Sequence, residues 1–400
     1  MKNFVFISPH FPDSYYHFVE ALRRNGFRVL GIGDAPYDEL SLELKNALTE
    51  YYCCHDMENF DNEVRAITYF RDKYGPIDFL ESNNEFWLEK DAYLRERFGI
   101  SSGIQGDDIH IYQHKSKMKE RYIKAGCPVA KFILVESFEQ VKKFAEEVGY
   151  PIFIKPDQGV GAAGDFKIKC EEDIVDFFEK KWPDVTYICE QFLTGEIVSF
   201  DGIANSKSEV IFCTCNHFPP SISDVLNEHR DVFYYTDPFV AKDLEEMGRK
   251  VIKAFEVKNR FFHLEFFRLT EDVPGVAKKG EIAALETNMR PAGGYTPDLI
   301  NYANSVDCYQ IWADCMAYDE NRQYMDFDKF YAGCASRRDC YEYIHSDEEV
   351  KNIFRNSLCK SGRYPLVFSG AMGNRYFMAK FKTLEEMKFF KEYVEQKKND

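Results

Sequence analysis

Four hundred residues are about two to three times a usual domain length, so the chain is expected to contain more than one core. The 51 Lys and Arg against 67 Asp and Glu leave a formal net charge of −16, which argues against a general nucleic-acid or membrane-surface binder, since both partners are anionic. A hydrophobic content of 45 % is globular, and no apolar run approaches the roughly 18 to 20 residues that span a bilayer.

The opening MKNFVFISPHFPDS has too short an apolar run for a secretory leader, so a cytoplasmic chain is expected. Its twelve cysteines include no CxxC pair and read as reduced thiols without zinc-site spacing. FVFIS (4–8) and FRVLGIG (27–33) read as buried strands, with a helix in HFVEALRRNG between them ending at Gly26. IDFLES (77–82) continues the pattern, so the first hundred or so residues predict an open parallel α/β sheet. SPHFPDS after the first strand has none of the glycines that a dinucleotide needs.

QHKSKMKERYIKAG (113–126) predicts a basic helix closed by Gly126, followed by a strand in CPVAKFILV and a helix from Ser137 to Val148. Then come a strand (PIFIKP), a glycine loop, a strand (FKIK), a helix (171–180) and a strand (TYICEQFL). Strand character is strong over 198–215 and again in RFFHLEFFRL and EIAALETN. The last seventy or so residues read as α+β, ending in a charged helix whose tail, EQKKND, is expected to fray.

GVGAAG (159–164) matches GxGxxG, but strand-like DFKIK follows it, so the context is a hairpin rather than a strand-to-helix turn. Such a hairpin either folds over phosphates with its backbone N–H groups or is a plain turn. HRD at 229–231 lacks the following Asn and any DFG, which excludes a protein kinase. Lys155 leads directly into the glycine loop, placed to reach phosphate oxygens. Glu190 lies on a strand whose edge could read a base. Glu265 stands among phenylalanines on one strand, while Glu286 and Asn288 share a face of another that Arg290 continues. These oxygen donors suit Mg²⁺ held with substrate phosphates, and the alternative is an Arg290–Glu286 ion pair on a solvated face.

As an ordered set these residues resemble the ATP-grasp ligases, over roughly residues 1–300 and the tail. The resemblance implies an α/β and α+β chain with the ATP-grasp fold. Its parts are a Rossmann-like pre-ATP-grasp domain at 1–112, a glycine-lid subdomain at 113–194, and a catalytic domain with an α+β extension at 195–400. It further implies that Lys115 and Lys155 bind nucleotide, with Gly159, Gly161 and Gly164 in the phosphate lid. Glu190, Gln191, Phe192 and Leu193 would form the adenine hinge, and Glu265, Glu286 and Asn288 would hold Mg²⁺, with Mn²⁺ as a substitute. Arg290 and Lys155 take the catalytic positions, since Arg290 matches the arginine that binds a substrate carboxylate or the intermediate. The implied reaction is ATP-dependent amide formation through an acyl phosphate, releasing ADP and phosphate.

The aromatic loop 216–238 is either an acceptor pocket or a surface excursion. Arg230, His217, Gly293 and Gly294 are substrate-site candidates, His263 is a further candidate, and Thr296 is expected to N-cap a helix with Pro297 at its first position. The expected partners are small carboxylate and amine substrates, with neither nucleic acid nor membrane, and a homodimer is allowed. The rivals are a bicarbonate-activating carboxylase and a non-catalytic ATP-binding scaffold.

Overall fold

The computed structural model describes residues 1–159, 164–219 and 230–398. Four short strands, β1 (Asn3–Ile7), β2 (Arg28–Gly33), β3 (Glu50–Cys53) and β4 (Phe79–Glu81), form a parallel sheet in the order β3-β2-β1-β4. Every β1 side chain is buried, as a parallel strand covered on both faces requires. One face packs Phe4 and Phe6 against Phe18 of the helix Tyr16–Arg24 and against Trp312 from the later helix Cys308–Tyr318. Aromatic packing thus joins this sheet to the rest of the molecule.

The other face contains an unusual acid. Glu63 is fully buried, and neither carboxylate oxygen has a hydrogen-bond partner. Burial, then the Asp91 charge, push its carboxyl up to about 8, against a smaller pull from Lys90. Because the folded pKa exceeds the unfolded one, the unfolded chain binds fewer protons between about pH 4.5 and 8, and stability falls as pH rises through that window. Glu63→Gln, which removes the titration, is expected to stabilise the protein at pH 8 by about 2 kcal/mol and much less at pH 5, measured by urea unfolding. Equal effects at the two pH values would contradict the assignment.

A second sheet, β5-β8-β6-β7, is antiparallel and comprises β5 (Phe132–Leu134), β6 (Ile152–Pro156), β7 (Phe166–Ile168) and β8 (Tyr187–Gln191). The helices Phe138–Val148 and Glu171–Lys180 cover one face, the first capped by Ser137 accepting from the Gln140 amide. The hairpin between β6 and β7 carries the glycine loop, as expected, but Gly161 lies outside the described residues.

The third sheet is the largest, with strand order β13-β12-β9-β10-β11-β14-β16-β15. Its members are β9 (Gly195–Ala204), β10 (Val210–His217), β11 (Phe233–Asp237), β12 (Arg260–Leu269), β13 (Ile282–Asn288), β14 (Tyr331–Arg337), β15 (Leu358–Arg363) and β16 (Arg375–Phe381). The C-terminal strands therefore extend the central sheet. Gly202 permits its tightest packing, because a Cβ there would stand 2.1 Å from the Phe212 carbonyl oxygen.

Two local expectations are corrected. The helix Thr296–Asn304 is N-capped by Tyr295, and the Thr296 hydroxyl donates back to the Gly293 carbonyl (2.7 Å) instead of accepting a helix amide. The C-terminal tail is held through Lys398, with the Lys397 ammonium 3.3 Å from Asp231 and the Lys398 amide donating to the Glu342 carbonyl. Buried Asp231, from the HRD triplet, is thus a structural anchor that also accepts from the Tyr343 hydroxyl. Among the described residues, no helix is long and apolar enough to cross a membrane.

Candidate active site

The central sheet builds a polar row from residues far apart in sequence. Across β12 and β13, Glu265 is the register partner of Glu286, and His263 that of Asn288. Across β12 and β9, Glu265 faces Ser199 and His263 faces Asp201, while Ser199 opposes Asn216 on β10 and Asn216 opposes Thr236 on β11. Side chains alternate along a strand, so this register places the whole set on one face.

Hydrogen bonds run along the row. The Thr236 hydroxyl donates to the Asn216 side-chain carbonyl (2.6 Å), and the Asn216 amide donates to Asp201 (2.8 Å). Ser199 also donates to Asp201. His263 Nδ1 lies 2.6 Å from Asp201 and Nε2 lies 2.9 Å from Glu265. Burial acts against a charged imidazole, but Asp201 and Glu265 overcome it and raise the His263 pKa to about 9. Glu265 is correspondingly held low: burial would raise it, and the His263 hydrogen bond and charge, then Arg290 and Lys155, outweigh that effect. Glu286 moves the opposite way, pushed up by burial and by Glu265 against Lys115 and Lys155.

Like charges directly opposite on a sheet are destabilising, so the Glu265–Glu286 pair calls for a cation. Lysines on the second sheet and its approach supply part of that charge. Lys115 begins the helix Lys115–Lys124, and its ammonium donates to the Gly159 carbonyl (3.0 Å) and lies 3.8 Å from Glu286. Asp157, from the end of β6, fixes this helix start: its carboxylate accepts from the Ser116 amide (2.7 Å) and pairs with His114 (2.9 Å). Lys155 is buried, 3.3 Å from Glu190, whose other oxygen is 3.2 Å from Lys119. Burial favours neutral Lys119, whose pKa falls despite Glu190, whereas Glu190 and Glu286 outweigh burial at Lys155 and raise its pKa.

The hinge candidates separate by environment. The Glu190 carboxylate is engaged by the two lysines, which leaves the backbone and neighbouring side chains to meet a base. Gln191 is buried, with its backbone N–H donating to the Lys131 carbonyl (2.9 Å); Leu193 is buried in a cluster with Ala130 and Leu269. Phe192 is half-buried beneath the Lys167 ammonium, 4.0 Å from its ring centre.

Gly159 adopts φ +131° with open space where a side chain would stand, and Gly164 packs beside Trp182 at the far end of the loop. Asp165, next in sequence, has its carboxyl pushed up to about 6 by burial against the opposing charges of Lys155 and Lys115.

Arg290 does not pair with Glu286. Its Nε donates to Glu85 (3.1 Å), just beyond β4 of the first sheet, and its Nη2 lies 3.4 Å from the Asn288 side-chain oxygen. Gly294, at φ +64°, lies near the Met372 methyl and Tyr234. His217 departs from its expected place. Adjacent to Asn216 on β10, it points to the other face, stacked on Tyr235 (4.5 Å) and 3.7 Å from Asp237, away from the acidic row. Arg230 is exposed, and its carbonyl accepts from Arg338 (2.8 Å). Of the 216–238 loop, residues 220–229 lie outside the described residues.

The oxygen donors fit a divalent cation of the magnesium type. Two opposed carboxylates and an amide oxygen offer hard ligands while leaving positions for phosphate oxygens and water. Among the described residues, no group of three or more His, Cys, Asp and Glu side chains forms a metal site by itself. Lys119, Asp157, Asp201, Asn216 and Glu85 were not expected as site residues. A periodic signal existed for two: Lys119 is four residues after Lys115 on one helix face, and Asp201 interrupts an apolar strand two residues after Ser199.

Residues 114–193 match the family described as carbamoyl-phosphate synthase L chain, ATP binding domain. An L-arginine-specific L-amino acid ligase of Bacillus subtilis is 27% identical over 256 residues, covering 62% of this chain and 59% of that protein. An alanine–anticapsin ligase of Bacillus subtilis (strain 168) is 23% identical over 320 residues, covering 75% and 66%. The chain thus spans less than two thirds of either relative's length. Among solved structures, an L-amino acid ligase from Bacillus licheniformis superposes with a TM-score of 0.71 at 14% identity, over 98% of this chain and 96% of the other. An N5-carboxyaminoimidazole ribonucleotide synthetase from Thermotoga maritima gives 0.64 at 18%, over 98% of each.

Proposed function

We propose that the chain is an ATP-grasp ligase, a Mg·ATP-dependent carboxylate–amine ligase acting on an amino acid or a related small carboxylate. The observation that carries this reading is the juxtaposition of Glu265, Glu286 and Asn288 with Lys115 and Lys155. A site that only held nucleotide would have no need of two opposed carboxylates, whereas phosphoryl transfer requires charge neutralisation in a fixed geometry. The relatives named as amino-acid ligases support an amino-acid substrate.

In this mechanism the backbone at 190–193 supports the adenine, and Lys115 and Lys155 hold phosphate oxygens. Bound at Glu265, Glu286 and Asn288, Mg²⁺ (or Mn²⁺) would neutralise charge on the transferring phosphoryl group. Arg290 aligns the substrate carboxylate, which attacks the γ-phosphorus to give an acyl phosphate and ADP. The amine then attacks the acyl carbon, and inorganic phosphate leaves as the amide forms. Asp201 and His263 orient Glu265, and the glycine hairpin excludes water from the acyl phosphate.

Lys155→Ala is expected to raise the KM for ATP at least about tenfold while the protein stays folded, because Glu190 keeps Lys119 as its counter-ion. An unchanged KM would remove Lys155 from the phosphate site. The function is tested by ADP and phosphate release with Mg·ATP against pooled L-amino acids, small carboxylates and bicarbonate, with products identified by mass. Amino-acid-dependent release with an amide product supports the ligase. Bicarbonate-dependent release alone, or ATP binding without turnover on any pool, would favour the carboxylase or the scaffold instead.

A further inference from the structure

At its C-terminal end the large sheet carries three arginines in one row. Arg337 on β14 is the register partner of Arg375 on β16, and Arg375 is that of Arg363 on the edge strand β15. Directly opposed like charges weaken a sheet, so the row needs anions. Asp347 accepts from Arg337 (2.8 Å) and from Arg375 (3.0 Å), and Asp339 pairs with Arg375 (3.2 Å) and with Arg363. Among the described residues, three guanidinium groups against two carboxylates leave one positive charge uncompensated, in a chain of net charge −16. Lys351 adds no further excess, since Glu348 pairs with it (2.7 Å).

The surplus adjoins a cavity. A cleft of about 200 Å³ is lined by Asp347, Lys351, Ser361, Arg363, Arg375 and Phe377. Behind it, Arg337 is 1% exposed and anchored through Nε on the Val394 carbonyl (2.7 Å), while its Nη2 has no hydrogen-bond partner among the described residues. The cleft opens on the sheet face that carries Ala335 and Phe377. The opposite face carries Cys334, Tyr376 and Met378, which pack with Tyr234 and Tyr295 near the candidate active site.

We propose that this cleft binds a phosphate group, at a site separate from the nucleotide site. A phosphate anion supplies the negative charge that the surplus calls for, and its several oxygens can be shared by the forked donors of Arg363 and Arg375, the Lys351 ammonium and the Ser361 hydroxyl. Arg363 is the exposed gate, with 62% of its side chain accessible. The site does not depend on the ligase assignment.

The test is calorimetric titration with inorganic phosphate in chloride buffer at constant ionic strength, repeated with glycerol 3-phosphate. The expected Kd for inorganic phosphate is about 1 mM or tighter. It should weaken at least tenfold in Arg363→Gln, be largely restored in Arg363→Lys, and stay unchanged in Lys155→Ala. Equal binding of glycerol 3-phosphate would identify the ligand as the terminal phosphate of an ester, and preference for inorganic phosphate would identify the free ion. No binding up to about 10 mM phosphate, binding indifferent to Arg363→Gln, or binding lost in Lys155→Ala would each overturn the proposal. Arg363 is exposed, so its variants are expected to fold, and circular dichroism checks that they do.

Discussion

Glu286→Gln is expected to lower substrate-dependent ATP turnover at least about 100-fold while leaving the thermal transition within a few degrees of the parent. The substitution keeps volume and removes one charge from the proposed magnesium site. Glu286 faces Glu265 across the β12–β13 ladder, and burial together with that neighbour already pushes its carboxyl upward. Removing the charge therefore relieves a repulsion in the folded protein, so the loss should fall on chemistry rather than on stability. Turnover within threefold of the parent, or a clear drop in melting temperature, would show that Glu286 serves the fold instead.

Glu81→Ala should have the largest effect on stability, about 3–5 kcal/mol, because it removes one partner of a buried ion cluster. Glu81 accepts from Arg95 (2.9 Å) and Arg260 (3.0 Å), both 1% exposed at the side chain, and also from the Ser82 and Asn83 amides. Burial alone would raise its pKa, but Arg260 and Arg95 hold it below the usual carboxylate range. Without Glu81 the two guanidiniums lose their shared counter-ion, with only Asp91 nearby, 3.9 Å from Arg95. Arg260 also donates to the Met289 carbonyl (3.1 Å), directly before Arg290, so the damage should reach the site. Denaturant unfolding measures the loss. A change below about 1 kcal/mol would mean that the cluster contributes little to holding the first sheet on the central one.

The candidate site shows what the sequence could not disclose. Hydrophobic runs mark β1, β2 and β4 of the first sheet, the β6–β7 hairpin, β12 and β13, since burial on both faces or on alternate positions leaves a pattern in the chain, whereas the half-buried edge strand β3 leaves none. Glu265, Glu286 and Asn288 were visible as isolated polar residues in such runs. What joins them was not, because register is a property of pairs of strands. The alignment of Ser199 with Glu265 and of Asp201 with His263 depends on how β9 lies beside β12, and no local spacing encodes it.

Three other placements lie beyond local spacing for similar reasons. Closeness in sequence leaves an Arg290–Glu286 ion pair open as the alternative, whereas folding brings Glu85 from 205 residues away to the Arg290 guanidinium. The sequence shows Lys119 only as part of a basic helix, and the face it shares with Lys115, Met118 and Tyr122 is the buried one. Strand parity turns His217, next to Asn216 on β10, away from the acidic row.

The central claim is that a substrate carboxylate is activated by direct phosphoryl transfer from ATP. The most direct measurement follows oxygen-18 from a doubly labelled carboxylate substrate, once the substrate panel has supplied one, into the inorganic phosphate released on amide formation. Transfer of one labelled oxygen to each phosphate is the predicted result. Phosphate free of label, with both labelled oxygens retained in unreacted acid or lost elsewhere, would contradict the account.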